Sequence, residues 1–196
     1  MNKHTHIIVI LFLMIASITS VFAIDNSVTI EQIGNNNTTV VTQEGVGNSA
    51  TIITGKTSDV DGTYISILQQ GNNKSASVEI KSGINNTVYF VQQDAGNHMA
   101  SIQNLNGSSN SISLTQQGSG NHEFNIIGAA GVTNSNNSIT ASQTGNTGSE
   151  KWFNLYMNGS QGATVNVQQG GTGQNQSSMN VQCAPGTCGN FNFSRY

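Results

Sequence analysis

The residues in this sequence that could do chemistry are few and scattered. Cys183 and Cys188 flank Ala-Pro-Gly-Thr and are the only thiols. In an exported protein that spacing suits a small disulfide loop, with Pro185-Gly186 making the turn. Two free thiols are the alternative. A metal site has less behind it, because no histidine or further cysteine lies nearby. His98 and His122 stand 24 residues apart at turn ends. Stacked repeats would bring them close, and each is expected to be an exposed turn residue. Asp59 and Asp61 resemble a fragment of a calcium loop without its remaining ligands, so an irregular loop is expected there. Glu31, Glu44, Glu79 and Asp94 are spread through the repeats, which suits solvent-facing charges that oppose premature association. No Ser/His/Asp set sits in a recognisable nucleophile elbow. The expectation is a protein without catalytic, metal or cofactor site, and not an enzyme.

The composition says what carries these side chains. Charged residues make up 8% of the chain against a usual share of about 25%, and there is a single proline. Asn, Gln, Ser, Thr and Gly fill the gap. Disordered chains are normally charged and rich in proline. Few charges and many amides point instead to polar β-stacking, in which Asn and Gln can form ladders. A formal charge of −3 with no basic cluster gives no grip on nucleic acid. The first 23 residues read as an address, with Lys3, an apolar run from Ile7 to Ile15, and Val21-Phe22-Ala23 before a cleavage point. That run is too short for a transmembrane anchor, so a chain that does not span a membrane is expected. The expected division is a signal peptide over 1–23, repeats over 24–182, and a cysteine loop and tail over 183–196.

The repeats are marked by the triplet Gln-any-Gly. It occurs at Gln32-Ile33-Gly34, Gln43-Glu44-Gly45, Gln69-Gln70-Gly71, Gln116-Gln117-Gly118, Gln143-Thr144-Gly145 and Gln168-Gln169-Gly170, with Gln92-Gln93-Asp94 as a variant. Setting Gln43 aside as a half-unit, the first glutamines step by 37, 23, 24, 27 and 25 residues. The unit is therefore about 23 to 25 residues long, and about six units fill the mature chain. Within a unit, Asn26, Val28, Ile30 and Gln32 alternate with Ser27, Thr29 and Glu31, as a strand with one buried face requires. The same strand recurs as Thr63 to Gln69, Asn86 to Gln92, Asn110 to Gln116 and Asn137 to Gln143. A second strand follows each turn, with inward sets Asn37, Thr39, Val41, Gln43 and Asn97, Met99, Ser101, Gln103. After Gln116 the apolar residues Phe124 and Ile126 fall one place out of the phase set by Asn121, so longer turns or bulges are expected there.

A unit this short cannot bury its own inward face, but stacking at the strand spacing of roughly 4.8 Å can. The expected fold is all-β, a β-solenoid of strand-turn-strand units with amyloid-like stacking. Its ladder residues are Gln32, Gln43, Gln69, Gln92, Gln103, Gln116, Gln143, Asn37, Asn97 and Asn121. Each amide would donate to the next and accept from the one before, so that buried polar groups are satisfied. Gly34, Gly45, Gly71, Gly118 and Gly145 would make the backbone reversals. The tail, with Phe191, Phe193 and Tyr196, is expected to form a last solenoid strand.

These offsets resemble the curlin repeat, found in subunits of bacterial curli. In that family a first glutamine is followed by glycine at plus two, asparagine at plus five, alanine at plus seven and a second glutamine at plus eleven. Gln32, Gly34, Asn37 and Gln43 match, with Thr39 at the alanine place. Gln43, Gly45, Asn48 and Ala50 match as a half-unit. Gln69, Gly71 and Ala76 match, while Lys74 and Ile80 depart. Gln92, Asn97 and Gln103 match, while Asp94 and Met99 depart. Gln116, Gly118 and Asn121 match, while Glu123 and Ile127 do not. The resemblance implies a secreted structural subunit of an extracellular amyloid fibre at the bacterial surface, of the fimbrium or pilus type, used in biofilm formation and cell adhesion. It implies as partners further copies of the chain, a related fibre subunit, an outer-membrane secretion channel and accessory factors. Only Ile24 and Asp25 lie between the address and the first strand, where the family's major subunit has a Gly/Asn-rich segment. The rival expectation is a soluble, capped β-helix that binds a flat or polymeric ligand such as polysaccharide or ice. Its outward row would be Thr29, Ser66, Thr87, Ser111 and Ser138, which is mixed rather than uniform.

Overall fold

Residues 7–8, 25–55, 58–146, 148–182 and 188–195 are described in a computed structural model. The chain winds through seven levels, each giving one strand to each of two facing parallel sheets. Level 1 holds Ser27–Gln32 and Thr38–Glu44, level 2 Ser49–Thr54 and Tyr64–Gln70, and level 3 Ser75–Ile84 and Thr87–Gln92. Level 4 holds Met99–Asn106 and Ser111–Gln117, and level 5 His122–Gly128 and Ser138–Thr144. Level 6 holds Lys151–Asn158 and Thr164–Gln169, and level 7 Asn175–Gln182 and Asn190–Arg195. Six turns of the winding separate the first level from the last, so the fold is a β-solenoid of the expected height. The cleavage point and most of the expected signal peptide lie outside the described residues. Its Ile7–Ile8 pairs antiparallel with Glu31 and Gln32.

Alternation explains why these residues form strands. In the first sheet Ala50, Ile52, Ala76, Val78, Ala100, Ile102, Phe124, Ile126, Phe153 and Leu155 point inward and are buried. The second sheet answers with Ile65, Ile67, Val88, Phe90, Ile112, Leu114, Ile139, Val165 and Val167. Their outward neighbours are mostly Ser, Thr, Asn and Gln. Levels 1 and 7 complete the core less well: Val28, Ile30, Val41, Met179, Phe191 and Phe193 pack on it but stay partly exposed. The insertion after level 2's first strand is anchored by Val60–Asp61, which pairs with Gly83 and Ile84.

The phase of the repeats differs from the sequence reading. Gln69 pairs with Gln43 and Gln92 in the second sheet, whereas Gln32 sits in the first sheet opposite Thr54. The half-unit at Gln43 is thus the true head of the glutamine column, and Gln32 lies outside it. At the last repeat the residue in register is Gln169, with Gln168 facing outward. Asn97, Met99, Gln103 and Asn121 are exposed rather than inward. The turns after Gln92 and Gln116 contain one residue more than those after Gln43 and Gln69, which moves the inward places to His98, Ala100 and Ile102 and to His122, Phe124 and Ile126. The tail forms the last solenoid strand that the sequence leads one to expect, with Asn190–Arg195 pairing in parallel with Thr164–Gln169.

Candidate assembly edges and the ladders that end on them

One glutamine column runs down the interior of the second sheet. Gln43 Nε2 donates to Gln69 Oε1 at 2.8 Å, Gln69 to Gln92 at 2.9 Å, Gln92 to Gln116 at 2.9 Å and Gln116 to Gln143 at 2.8 Å. The same Nε2 atoms also donate across the core to carbonyls of the first sheet, at Ser27, Ser49, Ser75, Met99 and Glu123. Both hydrogens of every amide from Gln43 to Gln116 are therefore placed, and from Gln69 to Gln116 so is an oxygen lone pair. Such groups cost free energy when buried unpaired. The ladder has a direction, since donors always point toward the C-terminal level. It stops at Gln143: neither Nε2 nor Oε1 of the buried Gln169 has a partner. The residue in register below Gln169 is Arg195, which has donors only.

A second column lies at the other end of the same strands. Asn110 donates to Asn86 Oδ1 at 2.9 Å and Asn137 to Asn110 Oδ1 at 3.0 Å, while the Asn37 side chain bonds Val60 O and the Thr63 backbone N–H. Asn86, Asn110 and Asn137 stand six places before Gln92, Gln116 and Gln143, a spacing that could have marked them from the sequence. An outer ladder runs the opposite way, with Gln117 donating to Gln93, Gln93 to Gln70 and Gln70 to Glu44. Gln32 and Gln103 have local partners only: Gln32 donates to Thr39 Oγ1 and Gln103 to Ser101 Oγ.

The turns stack as closely as the strands. Gly45, Gly71 and Gly118 have φ of +103°, +101° and +103°, and a Cβ on any of them would fall 2.2–2.3 Å from the carbonyl oxygen of the turn on the next level. Asp94 takes the glycine place at φ +67°. Gly34 is also left-handed, at φ +123°, but Gly145 is not.

At the entry of the first sheet, one inward place is held in turn by Asn26, Asn48, Lys74, His98, His122, Lys151 and Asn175. From Asn26 to Lys151 these side chains donate to carbonyls of the neighbouring turns. Asn48 Nδ2 reaches Gly71 O at 2.9 Å, Lys74 Nζ reaches Asp94 O at 2.7 Å, and Lys151 Nζ reaches Gly173 O at 2.6 Å. Both histidines are buried, contrary to the exposed turn positions expected from the sequence. Burial pushes His98 down to about 4, helped by His122 and Lys74, against the Gln93 carbonyl and Asp94. Burial also lowers His122, Lys74 and Lys151.

Among the described residues both ends of the stack are largely unpaired edges. At level 1 the described pairing is the contact with Ile7–Ile8, and among the described residues nothing pairs with the far side of level 7. The edges differ in charge. Asp25, Glu31 and Glu44 are the only charged residues from 24 to 55, and Arg195 is the only one from 152 to 196. Cys188 is disulfide-bonded, and Cys183 lies outside the described residues. No group of three or more His, Cys, Asp and Glu among the described residues is arranged to hold a metal. No helix among them is long and apolar enough to cross a membrane.

The curlin associated repeat matches residues 24–54, the stretch from level 1 through the first strand of level 2. That stretch carries a curlin associated repeat. The matched stretch contains Gln43, the head of the glutamine column, and Gly45 and Asn48 of the turn that follows. No curated protein and no solved structure matches the chain. Beyond Thr54 the register continues the Gln43 place to Gln169 and the Asn48 place to Asn175.

Proposed function

We propose that this chain is a structural subunit of an extracellular curli-like amyloid fibre, exported to the bacterial surface and serving biofilm formation and adhesion rather than catalysis. Copies stack edge to edge, the level 7 edge of one against the level 1 edge of the next. The observation that carries this reading is the pair of edges, level 7 without a partner strand among the described residues and level 1 with Ile7–Ile8 of the expected signal peptide against its first strand, onto which the core and the glutamine column both emerge. Continuing the register between levels puts Met179 against Ile30, Phe193 against Val41, and Arg195 against Gln43 of the next copy. Apolar side chains that are half-buried in one copy then become covered, as in a level of the interior. Arg195 supplies a donor to Gln43 Oε1, which has none among the described residues, in the same donor direction as the ladder within the chain. The acidic level 1 edge and the single cation of level 7 are complementary. A secretion channel, accessory factors and a related fibre subunit are the further partners this role requires.

The test is to dilute the mature chain, residues 24–196, from denaturant and follow thioflavin fluorescence, electron microscopy and fibre diffraction. Fibres with a reflection near 4.7–4.8 Å are expected. A chain that folds and stays monomeric for days at high concentration would sink the fibre reading and favour a capped binder of a flat ligand.

A further inference from the structure

His98 and His122 stack face to face inside the solenoid, with ring centroids 5.0 Å apart and an interplanar angle of 4°. Each is 1% exposed. Their Nε2 atoms meet the carbonyls of Gln93 at 2.7 Å and Gln117 at 3.0 Å, so each ring carries its hydrogen there. The other nitrogens are then unprotonated. His122 Nδ1 accepts the backbone N–H of Lys151 at 3.2 Å, and His98 Nδ1 is buried without a partner. A second proton is disfavoured by burial on both rings, although the Gly145 carbonyl acts in favour of a charged His122. On His122 it would point at an N–H, and on His98 it would sit buried and unpaired.

The surroundings make a charged ring worse. Lys74 holds the place above His98 and Lys151 the place below His122, so four basic groups occupy one inner column. The opposite sheet presents Gln92, Gln116 and Gln143 to this corner, none of which titrates. The opposing charges lie in the turns: Asp94, held by the Gly118 N–H, and Glu150, held by the Gly148 N–H, both exposed or nearly so. Glu79 and Glu123 lie on the outer face of the first sheet.

We propose that this stacked histidine pair is an acid-sensitive lock on levels 4 and 5, which lets the solenoid close at neutral pH and opens it when the rings are protonated. The acid sensitivity of the fold stands on this geometry alone; its consequence, that fibre growth is held back in acid, rests on the fibre reading. Because the folded-state value of His98 lies below its ordinary one, the unfolded chain binds more protons in the range between them. Stability is full above the ordinary value and is lost as pH falls through that range toward the folded value. With His98 moving from 6.5 to about 4, its share alone lowers the folding constant about 30-fold between pH 8 and pH 5.

Asn is the natural replacement, since Asn26, Asn48 and Asn175 hold the same place without titrating. The experiment compares the mature chain with the double variant His98→Asn, His122→Asn, reading the urea midpoint of its sheet signal in the soluble state from pH 8 to pH 4. The wild type should lose at least about 30-fold more in folding constant over pH 8 to 5 than the variant. Superimposable pH profiles would overturn the proposal. If the double variant does not fold at pH 8, His98→Asn and His122→Asn are compared singly, and each should remove part of the slope; a full slope in both would overturn it equally. The midpoint is read before assembly, so a chain that never forms fibres can still pass or fail this test.

Discussion

Gln92 shows what a single ladder residue does. It accepts from Gln69, donates to Gln116 and donates across the core to Ser75 O, all at 2.9 Å. Removing its amide leaves three neighbours short of a partner inside a dry core, each at about 1–3 kcal/mol. Gln92→Ala is therefore expected to cost on the order of 3 kcal/mol in unfolding free energy. Gln169 occupies the same column and is as buried, but neither of its polar atoms has a partner. Gln169→Leu keeps the volume and removes two unsatisfied groups, so it should be neutral or stabilising. Urea midpoints of the two variants beside wild type decide the matter. Similar losses would show that burial in the column, and not hydrogen bonding along it, is what the fold uses glutamine for.

The strands are nearly interchangeable, and the turns are where the levels differ. Gly118, at φ +103°, would place a Cβ 2.2 Å from Gly145 O, while Gly131, at φ +75°, has nothing within 4 Å. Gly131→Ala bears only the cost of the left-handed backbone, about 1 kcal/mol. Gly118→Ala adds a clash with a backbone atom that cannot yield, and about 1–3 kcal/mol more is expected. Thermal melts of the two variants should separate by several degrees, Gly118→Ala the lower. Turn length also fixes what was legible beforehand. Alternation of Ile, Val and Phe with Ser and Thr identified every strand of the second sheet from Thr63 to Gln143, because period two survives any error in the turns. The Gln-any-Gly triplets identified the stack. Their spacing misleads on phase, since the long insertion before level 2's second strand obscures the 26-residue step from Gln43 to Gln69. One extra residue after Gln92 and Gln116 was enough to turn Asn97, Gln103 and Asn121 outward and to hide the two histidines. A shift of one place exchanges the faces of a strand, and nothing in the amide-rich turns themselves gives their length. The apolar residues Ala100, Ile102, Phe124 and Ile126 were the better guide, because burial and not motif spacing sets the register.

At the scale of the whole molecule the two ends are unlike, and that gives assembly a direction. A stack of identical parallel levels would be polar in its backbone, but its two ends would carry the same side chains. Here the donors of the glutamine column all point toward level 7, level 1 carries acids and no cation, and the last place of the column is an arginine. The ladder already stops at Gln143, and Arg195 cannot accept from Gln169, so the column can begin again only on another copy. Two substitutions separate this idea from a general effect of charge. Arg195→Gln restores an acceptor for Gln169 and still offers a donor to Gln43 of the next copy, so seeded elongation should be unchanged or faster and level 7 better ordered. Arg195→Glu offers no donor and sets a carboxylate beside Glu44 of the incoming copy. Its elongation from wild-type seeds should fall by roughly an order of magnitude at low salt, as a loss of about 1.4 kcal/mol at the docking step would give. Raising the ionic strength should recover part of the loss, because the repelling groups are exposed and screened. Adding Glu44→Lys to Arg195→Glu should recover part of it at low salt as well, by reversing one of the charges. If Arg195→Gln slowed growth as much as Arg195→Glu did, the guanidinium itself would be what the edge requires, and the ladder would not be the element that carries one copy into the next.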